Sequence, residues 1–487
     1  MASPRVVTII AVCTLFSALP AQADAPRLGL TPCRLKGGLQ ANCGTFEVPE
    51  DRTKPPGRHL KLRVAVVPAL ARSPRPDPLF MLAGGPGQAA TEAFPDLISV
   101  AFERVHRMRD IVLIDQRGTG GSNPLKCQLV DPDAPLAKRI ADPGFPSERL
   151  EACLKGYDAD PRLYTTSIAM QDLDDVRVAL GYGPIDLWGG SYGTRAALVY
   201  LREHGDAVRS VILDGVAPPT LRLPLNFAGD AQRALDRLFL ACAAEAACAK
   251  AWPDLPARFD RLLERLEKTP PTVTLADPVT GAPVELTIHR DVLASVLRAV
   301  LYQPGMAVLV PLIIARAEGG DFGPLVAMAA AFDDATRDSL ALGMMLSVVC
   351  AEDLPRISEE EGALAARGTF LGAQVIRAFR DGCRVWPRGE PPAGFGAPVE
   401  SDKPVLLLSG EVDPVTPPAW AEEAKKTLPH SRHFVVPGVG HGASAIGCVP
   451  RLIAEFLDAG NVAALDGACV QSQKRPPFFV TFAGPTP

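Results

Sequence analysis

Ile185-Asp186-Leu187-Trp188-Gly189-Gly190-Ser191-Tyr192-Gly193-Thr194 is the stretch from which the rest of the chain can be read. Its apolar start reads as a buried strand, and Arg195 to Glu203 just beyond is rich in helix-forming residues. Gly-x-Ser-x-Gly between a strand and a helix fits a nucleophile elbow, where serine occupies a strained turn. Glycines flank such a serine because side chains there would collide with the adjoining strand and helix backbones. The turn lifts the hydroxyl clear of the sheet and aims the helix N-terminus at it. An ordinary turn with a chance serine competes with this reading, so the flanking chain must decide.

Upstream, Leu60 to Val67 alternates apolar residues with Lys61 and Arg63, as an edge or early strand would. Pro78 to Leu82 is a second strand and runs into Ala83-Gly84-Gly85-Pro86-Gly87. A loop with almost no side chains lets N–H groups approach an oxyanion closely. Pro86 has no N–H, so Gly85 is the expected donor. Asp110 to Asp115 is a third strand, followed by Gln116-Arg117-Gly118-Thr119-Gly120-Gly121-Ser122. No helix pattern follows those glycines and Pro124 interrupts, which excludes a dinucleotide loop. Asp115 and Arg117 are expected to brace loops beside the site. The Cys33–Cys43 interval reads as a loop. Met170 to Leu180 reads as an amphipathic helix whose Asp172, Asp174 and Asp175 suit the positive end of its dipole. Val208 to Leu213 is a further strand.

Strands alternating with helices imply an α/β fold, a mostly parallel doubly wound sheet covered on both faces. From 218 to 400 the alternation stops. Ala231–Ala241, Ala257–Leu266, Asp291–Tyr302 and Met306–Ala317 carry apolar residues at helical spacing, Ser358 with Glu361 forms a capping box, and Thr272–Ile288 suggests a small hairpin. The expected organisation is a sheet domain in two parts, 24–217 and 401–487, with a mainly helical cap inserted between them. The sheet resumes at Pro404–Leu408, and the turn after it carries Asp413. Arg432–Val436 is the last strand, and the loop beyond it sets His441 between glycines. His430 and His433 fit less well, one in a turn before that strand and one inside it. The order Ser191, Asp413, His441 is the triad order of the α/β-hydrolase fold.

Arg5, the apolar run Val6–Leu19 and Ala21-Gln22-Ala23 have the form of a signal peptide, expected to span 1–23. An uncleaved anchor is the alternative. Eleven cysteines less Cys13 leave ten, an even number suited to an oxidising, secreted or periplasmic setting. Proximity pairs Cys33 with Cys43, Cys127 with Cys153, Cys242 with Cys248, Cys350 with Cys383 and Cys448 with Cys469. Neither C-x-x-C nor H-E-x-x-H occurs, so no metal is expected. A net charge of −5 without basic runs argues against nucleic acid, and no later apolar run reaches membrane-spanning length. No cofactor is expected.

Gly84-Gly85-Pro86-Gly87, Asp115-Gln116-Arg117-Gly118, Gly189-Gly190-Ser191-Tyr192-Gly193, and Asp413 with His441 resemble the proline iminopeptidase and tripeptidyl aminopeptidase family of α/β-hydrolases. The secreted tripeptidyl aminopeptidases are the nearest in plan. The family often begins its glycine loop with histidine; Ala83 stands there instead. The resemblance implies a serine aminopeptidase acting on peptides with a free N-terminus, with Ser191, Asp413 and His441 catalytic and the N–H of Tyr192 joining one from the Gly84–Gly87 loop on the oxyanion. The substrate ammonium would then need a carboxylate, and Glu352 or Asp353, beside Cys350, is the candidate. A secreted esterase or amide hydrolase with the same triad is the alternative, and a non-catalytic binding protein on the same fold is a third reading.

Overall fold

Side chains that alternate across the strands build the sheet in this computed structural model, which describes residues 28–54, 56–141, 144–336 and 339–485. The expected signal peptide lies outside the described residues. In chain order the strands are β1 (Thr31–Arg34), β2 (Gln40–Pro49), β3 (His59–Val67), β4 (Leu79–Leu82), β5 (Ile111–Ile114), β6 (Ile185–Gly190) and β7 (Val208–Asp214). There follow β8 (Thr272–Ala276), β9 (Pro283–Thr287), β10 (Val405–Gly410) and β11 (Ser431–Val436). Nine of them form one sheet in the order β1-β2-β3-β5-β4-β6-β7-β10-β11, while β8 and β9 make a separate hairpin. Pairing is parallel from β5 to β11 and antiparallel among β1, β2, β3 and β5.

Phe80, Leu187, Val211 and Leu407 point to one face of the sheet, where they pack with Leu173, Val176, Leu198 and Val199. Those residues belong to the helices Thr166–Ala179 and Tyr192–Glu203. Met81, Trp188, Ile212 and Leu406 point to the other face, against Ile98 and the helix Val449–Ala459. A period of two along each strand thus feeds two cores, each fully buried aliphatic side chain stabilising by about 1.5–3 kcal/mol. This topology is that of the α/β-hydrolase fold.

Between β7 and β10 the helices Phe227–Ala244, Leu255–Lys268, Arg290–Val300 and Val310–Glu318 enclose an apolar core of their own. Phe478 from the C-terminal segment is buried in that same core. The helix expected over Met306–Ala317 is broken: a single turn at Pro304–Ala307 precedes Val310–Glu318, with Pro311 tolerated in the first turn of the second piece. Ser358 and Glu361 form the expected capping box.

The structure differs from the sequence reading in two further places. The Cys33–Cys43 interval is an antiparallel hairpin at the sheet edge, not a loop. Few apolar residues mark it because an edge hairpin buries little; only Ala41 and Val48 of β2 are buried. The helix read as Met170–Leu180 begins a turn earlier, at Thr166, so Asp172 does not sit at its N-terminus. Asp172 instead accepts both ends of the buried Arg117 guanidinium, at 2.6 and 2.7 Å. Arg117 also donates to the carbonyls of Glu50 and Leu163, and Asp115 accepts from Thr91 and Gly121, so both brace loops as expected. All five expected disulfides are formed. Among the described residues no helix is long and apolar enough to cross a membrane.

Candidate active site

Ser191 joins β6 to the helix Tyr192–Glu203 with φ 57° and ψ −125°, a conformation costly for any residue with a Cβ. The turn is this tight because neighbouring backbones leave no room. A Cβ on Gly193 would lie 2.1 Å from the Leu82 carbonyl oxygen, and one on Gly189 would lie 2.3 Å from that of Gly193. The Ser191 N–H donates to the Asp214 carbonyl at the end of β7, at 2.9 Å.

Asp413 and His441 come together from the turns after β10 and β11. Their hydrogen bond, Nδ1 to Oδ2, is 2.8 Å long. Asp413 also accepts from the Val415 and Thr416 N–H groups and from Thr416 Oγ1, each at 2.9 Å. Burial works against its charge, but His441 and these donors outweigh burial and hold its pKa below the ordinary value. Burial likewise opposes the imidazolium, yet the Asp413 charge and hydrogen bond outweigh it, so His441 titrates above its ordinary 6.5. With Nδ1–H committed to Asp413, Nε2 is left to accept a proton. His433 is already engaged, facing Glu422 at 2.7 Å and Ser409 at 2.9 Å.

Among the described residues no hydrogen bond joins Ser191 Oγ to His441. Asp214 links them. Its carboxylate accepts the N–H groups of Ala443 and Ser444 in the histidine loop at 2.7–3.0 Å, while its carbonyl holds Ser191. A Cβ on Gly215, the next residue, would stand 3.0 Å from His441 Cε1. In the sequence Asp214 merely follows the strand read at Val208 to Leu213, with nothing local to mark this role. Thr416 was missed too: its hydroxyl donates to Asp413 and lies 3.1 Å from His441 Nδ1, bracing the pair.

Tyr192 and the Gly84–Gly87 loop both adjoin Ser191. Tyr192 is the first residue of its helix, so its N–H has no partner within that helix. Its side chain is buried and its hydroxyl is 2.7 Å from Thr166 Oγ1. The Gly84–Gly87 loop lies against the serine: a Cβ on Gly84 would be 3.1 Å from Ser191 Cβ. A segment of the helical region crosses that loop, with Ala341 N–H bonded to the Gly87 carbonyl at 2.9 Å and Leu340 close to Gly85.

Glu352 and Asp353, on a single π-helical turn at Val349–Asp353, are both buried. Asp353 is shared by Arg195 at 2.8 Å and Arg356 at 3.1 Å. Two guanidinium groups already balance its charge. Glu352 accepts from the Thr166 N–H at 2.6 Å and from Thr166 Oγ1 at 2.8 Å, with Arg195 at 3.8 Å. Burial, opposed by the Arg195 charge, pushes its pKa up to about 7. Since Arg195 and Tyr192 belong to the helix that follows Ser191, this cluster ties the helical region to the turn carrying that serine.

Residues 368–469, which include Asp413 and His441, match the family described as TAP-like protein. Over 258 residues the chain is 30% identical to the serine protease Hip1 of Mycobacterium tuberculosis, covering 47% of this chain and 48% of that protein. It is 32% identical over 194 residues to the tripeptidyl aminopeptidase of Streptomyces lividans, covering 37% and 36%. A probable proline iminopeptidase of Streptomyces coelicolor is 31% identical over 145 residues, covering 30% and 34%. The chain resembles the tripeptidyl aminopeptidase and proline iminopeptidase family of α/β-hydrolase peptidases. The match spans about half the length of the first relative and about a third of the other two.

Proposed function

We propose that the chain is an exported serine peptidase that removes one or a few residues from free peptide N-termini through an acyl-enzyme. The observation that carries this reading is the 2.8 Å Asp413–His441 hydrogen bond, held by Asp214 beside a serine on a strained elbow. In this reading Ser191 Oγ attacks the scissile carbonyl carbon as its proton passes to His441 Nε2. The Tyr192 and Gly85 N–H groups stabilise the oxyanion. Collapse expels the amine, which takes the proton from His441; water then repeats the sequence to free the acid and restore Ser191. Asp413 holds the imidazole tautomer and offsets its charge.

Similarity to a tripeptidyl aminopeptidase supports the peptide substrate and the demand for a free amine. With Asp353 balanced, Glu352 is the carboxylate proposed to meet the substrate ammonium. Five disulfides support an oxidising compartment. The test pairs fluorophosphonate labelling of Ser191 with a panel of free and N-acetylated peptides and simple esters. Labelled Ser191 with turnover of free-amine peptides alone supports the reading. Turnover of esters alone replaces it with the esterase alternative.

A further inference from the structure

Arg298 lies on the helix Arg290–Val300 of the helical region. Its guanidinium stands 4.9 Å from the centroid of the Phe227 ring and 5.6 Å from that of Tyr302. One hydrogen bond is made, from Nη2 to Tyr302 Oη at 3.2 Å, and Nε is buried without a partner. Arg195, Arg209 and Arg265 also leave Nε buried without a partner, but each is satisfied at its terminal nitrogens. Arg195 meets Asp353, Arg209 meets Asp186, and Arg265 meets the carbonyls of Ala317 and Glu318. Among the described residues no carboxylate lies within ion-pair distance of Arg298. A guanidinium has five donors in a fork shaped for carboxylate, so stacking on two rings and one phenol leaves most of that capacity unused.

Its place gives the unused capacity a meaning. The Tyr302 ring that Arg298 covers meets the His441 ring edge to face at 5.1 Å. The Tyr302 carbonyl accepts the His441 N–H at 2.8 Å. The positive charge of Arg298 reaches His441 and opposes its protonation. In acyl transfer the histidine delivers its proton to the leaving amine, so the leaving group lies on the imidazole side of the scissile bond. Arg298 is separated from that imidazole by a single ring, that of Tyr302.

We propose that Arg298 is a specificity-determining residue that binds a carboxylate on the leaving fragment of the substrate. The inference rests on the hydrolytic reading of Ser191 and deepens it. The carboxylate has two sources, the free C-terminus of a short leaving fragment or an acidic side chain within a longer one. A free C-terminus makes the enzyme one that trims short peptides. An acidic side chain makes it selective for sequence.

Three peptides with one N-terminal part and one scissile bond test this: the first ends in a free carboxylate, the second in a carboxamide, and the third in a carboxamide but with an acidic leaving residue. Wild type is expected to favour one carboxylate peptide over the plain amide by about tenfold in kcat/KM, the scale of one charge-assisted pair. Arg298→Met keeps the stacked stem and should bring that ratio close to one, chiefly through KM, and Arg298→Lys should restore part of it. Which peptide is favoured identifies the source. Equal loss on all three peptides in Arg298→Met, or no preference in wild type, overturns the proposal in favour of a purely structural stacking role. Binding of the leaving fragment itself, a dipeptide and an acidic dipeptide amide each against the plain dipeptide amide, is measured by calorimetry and needs no turnover. A preference for either carboxylate ligand that Arg298→Met abolishes sustains the site even if no peptide is cleaved, an outcome that would overturn the hydrolytic reading alone. Equal binding of all three ligands overturns the site.

Discussion

The backbone carbonyl of Tyr302 accepts the N–H of His441 at 2.8 Å, and their rings meet edge to face at 5.1 Å. The histidine loop is thereby held from two sides, by Asp214 at the end of β7 and by Tyr302 just beyond the helix Arg290–Val300. The helical region is coupled to the imidazole itself and also reaches the glycine loop through Ala341. Motion of that region would displace the imidazole and the glycine loop together.

Replacing Ser191 by alanine removes the hydroxyl and leaves the strained φ of 57° as it was. Thermal stability is expected to stay within a few degrees of wild type. Turnover should fall by about 10⁴-fold or more, as for loss of a nucleophile that acts as a unit with its base. Activity within tenfold of wild type in a steady-state assay would remove Ser191 from the mechanism.

The pH profile follows from His441. Only the neutral imidazole can take the serine proton, and its pKa is raised above 6.5 by Asp413. Activity should therefore be lost as pH falls, with the acid limb of kcat/KM above 6.5. Asp413→Asn removes the charge that raises the pKa, so the limb should move to lower pH while the maximal rate falls by about 10⁴-fold through the wrong tautomer. An unmoved limb would mean that another group sets it.

Asp214 is tested through its two oxygens. In Asp214→Asn one oxygen remains as acceptor while the amide nitrogen faces the Ser444 or Ala443 N–H, donor against donor. Hydrogen bonds to a charged group contribute about 1.5–3 kcal/mol each, so a clear fall in melting temperature is expected, together with a loss of kcat greater than any change in KM. Wild-type kcat with lowered stability would confine Asp214 to holding the fold.

The elements that place the chemistry were legible because local rules and the fold agree. The β6 run, the two glycines around Ser191 and the loops carrying Asp413 and His441 are short-range patterns whose order along the chain implies the sheet. The edge hairpin of β1 and β2 was not legible, since half-exposed strands carry little apolar alternation. Asp172, Asp214 and Thr416 escaped for another reason. Each acts through a partner distant in the chain or through a turn, and an aspartate at a strand end or in a helix has the same local signature whatever it binds. Tyr302 and Arg298 lie in a helical region whose packing onto the histidine loop has no period to read.

Glu352 joins substrate choice to pH. Its pKa is about 7 in the fold against 4.5 for the free group, so the folded chain holds a proton there that the unfolded chain has released. Its contribution to stability is therefore greatest below pH 4.5 and declines as pH rises to about 7. Glu352→Gln should flatten that decline in a series of melting curves from pH 4 to 8, because the amide does not titrate. A substrate ammonium arriving near Glu352 would favour the ionised form that burial disfavours, an exchange the glutamine cannot make. The variant should therefore narrow the kcat/KM gap between a free-amine peptide and its acetylated counterpart, by about tenfold for one lost charge-assisted contact. A flattened stability slope with an unchanged substrate gap would show that Glu352 ties Thr166 to the helical region and that the amine is met elsewhere. An unchanged slope would mean that the carboxyl does not hold a proton in the fold at all.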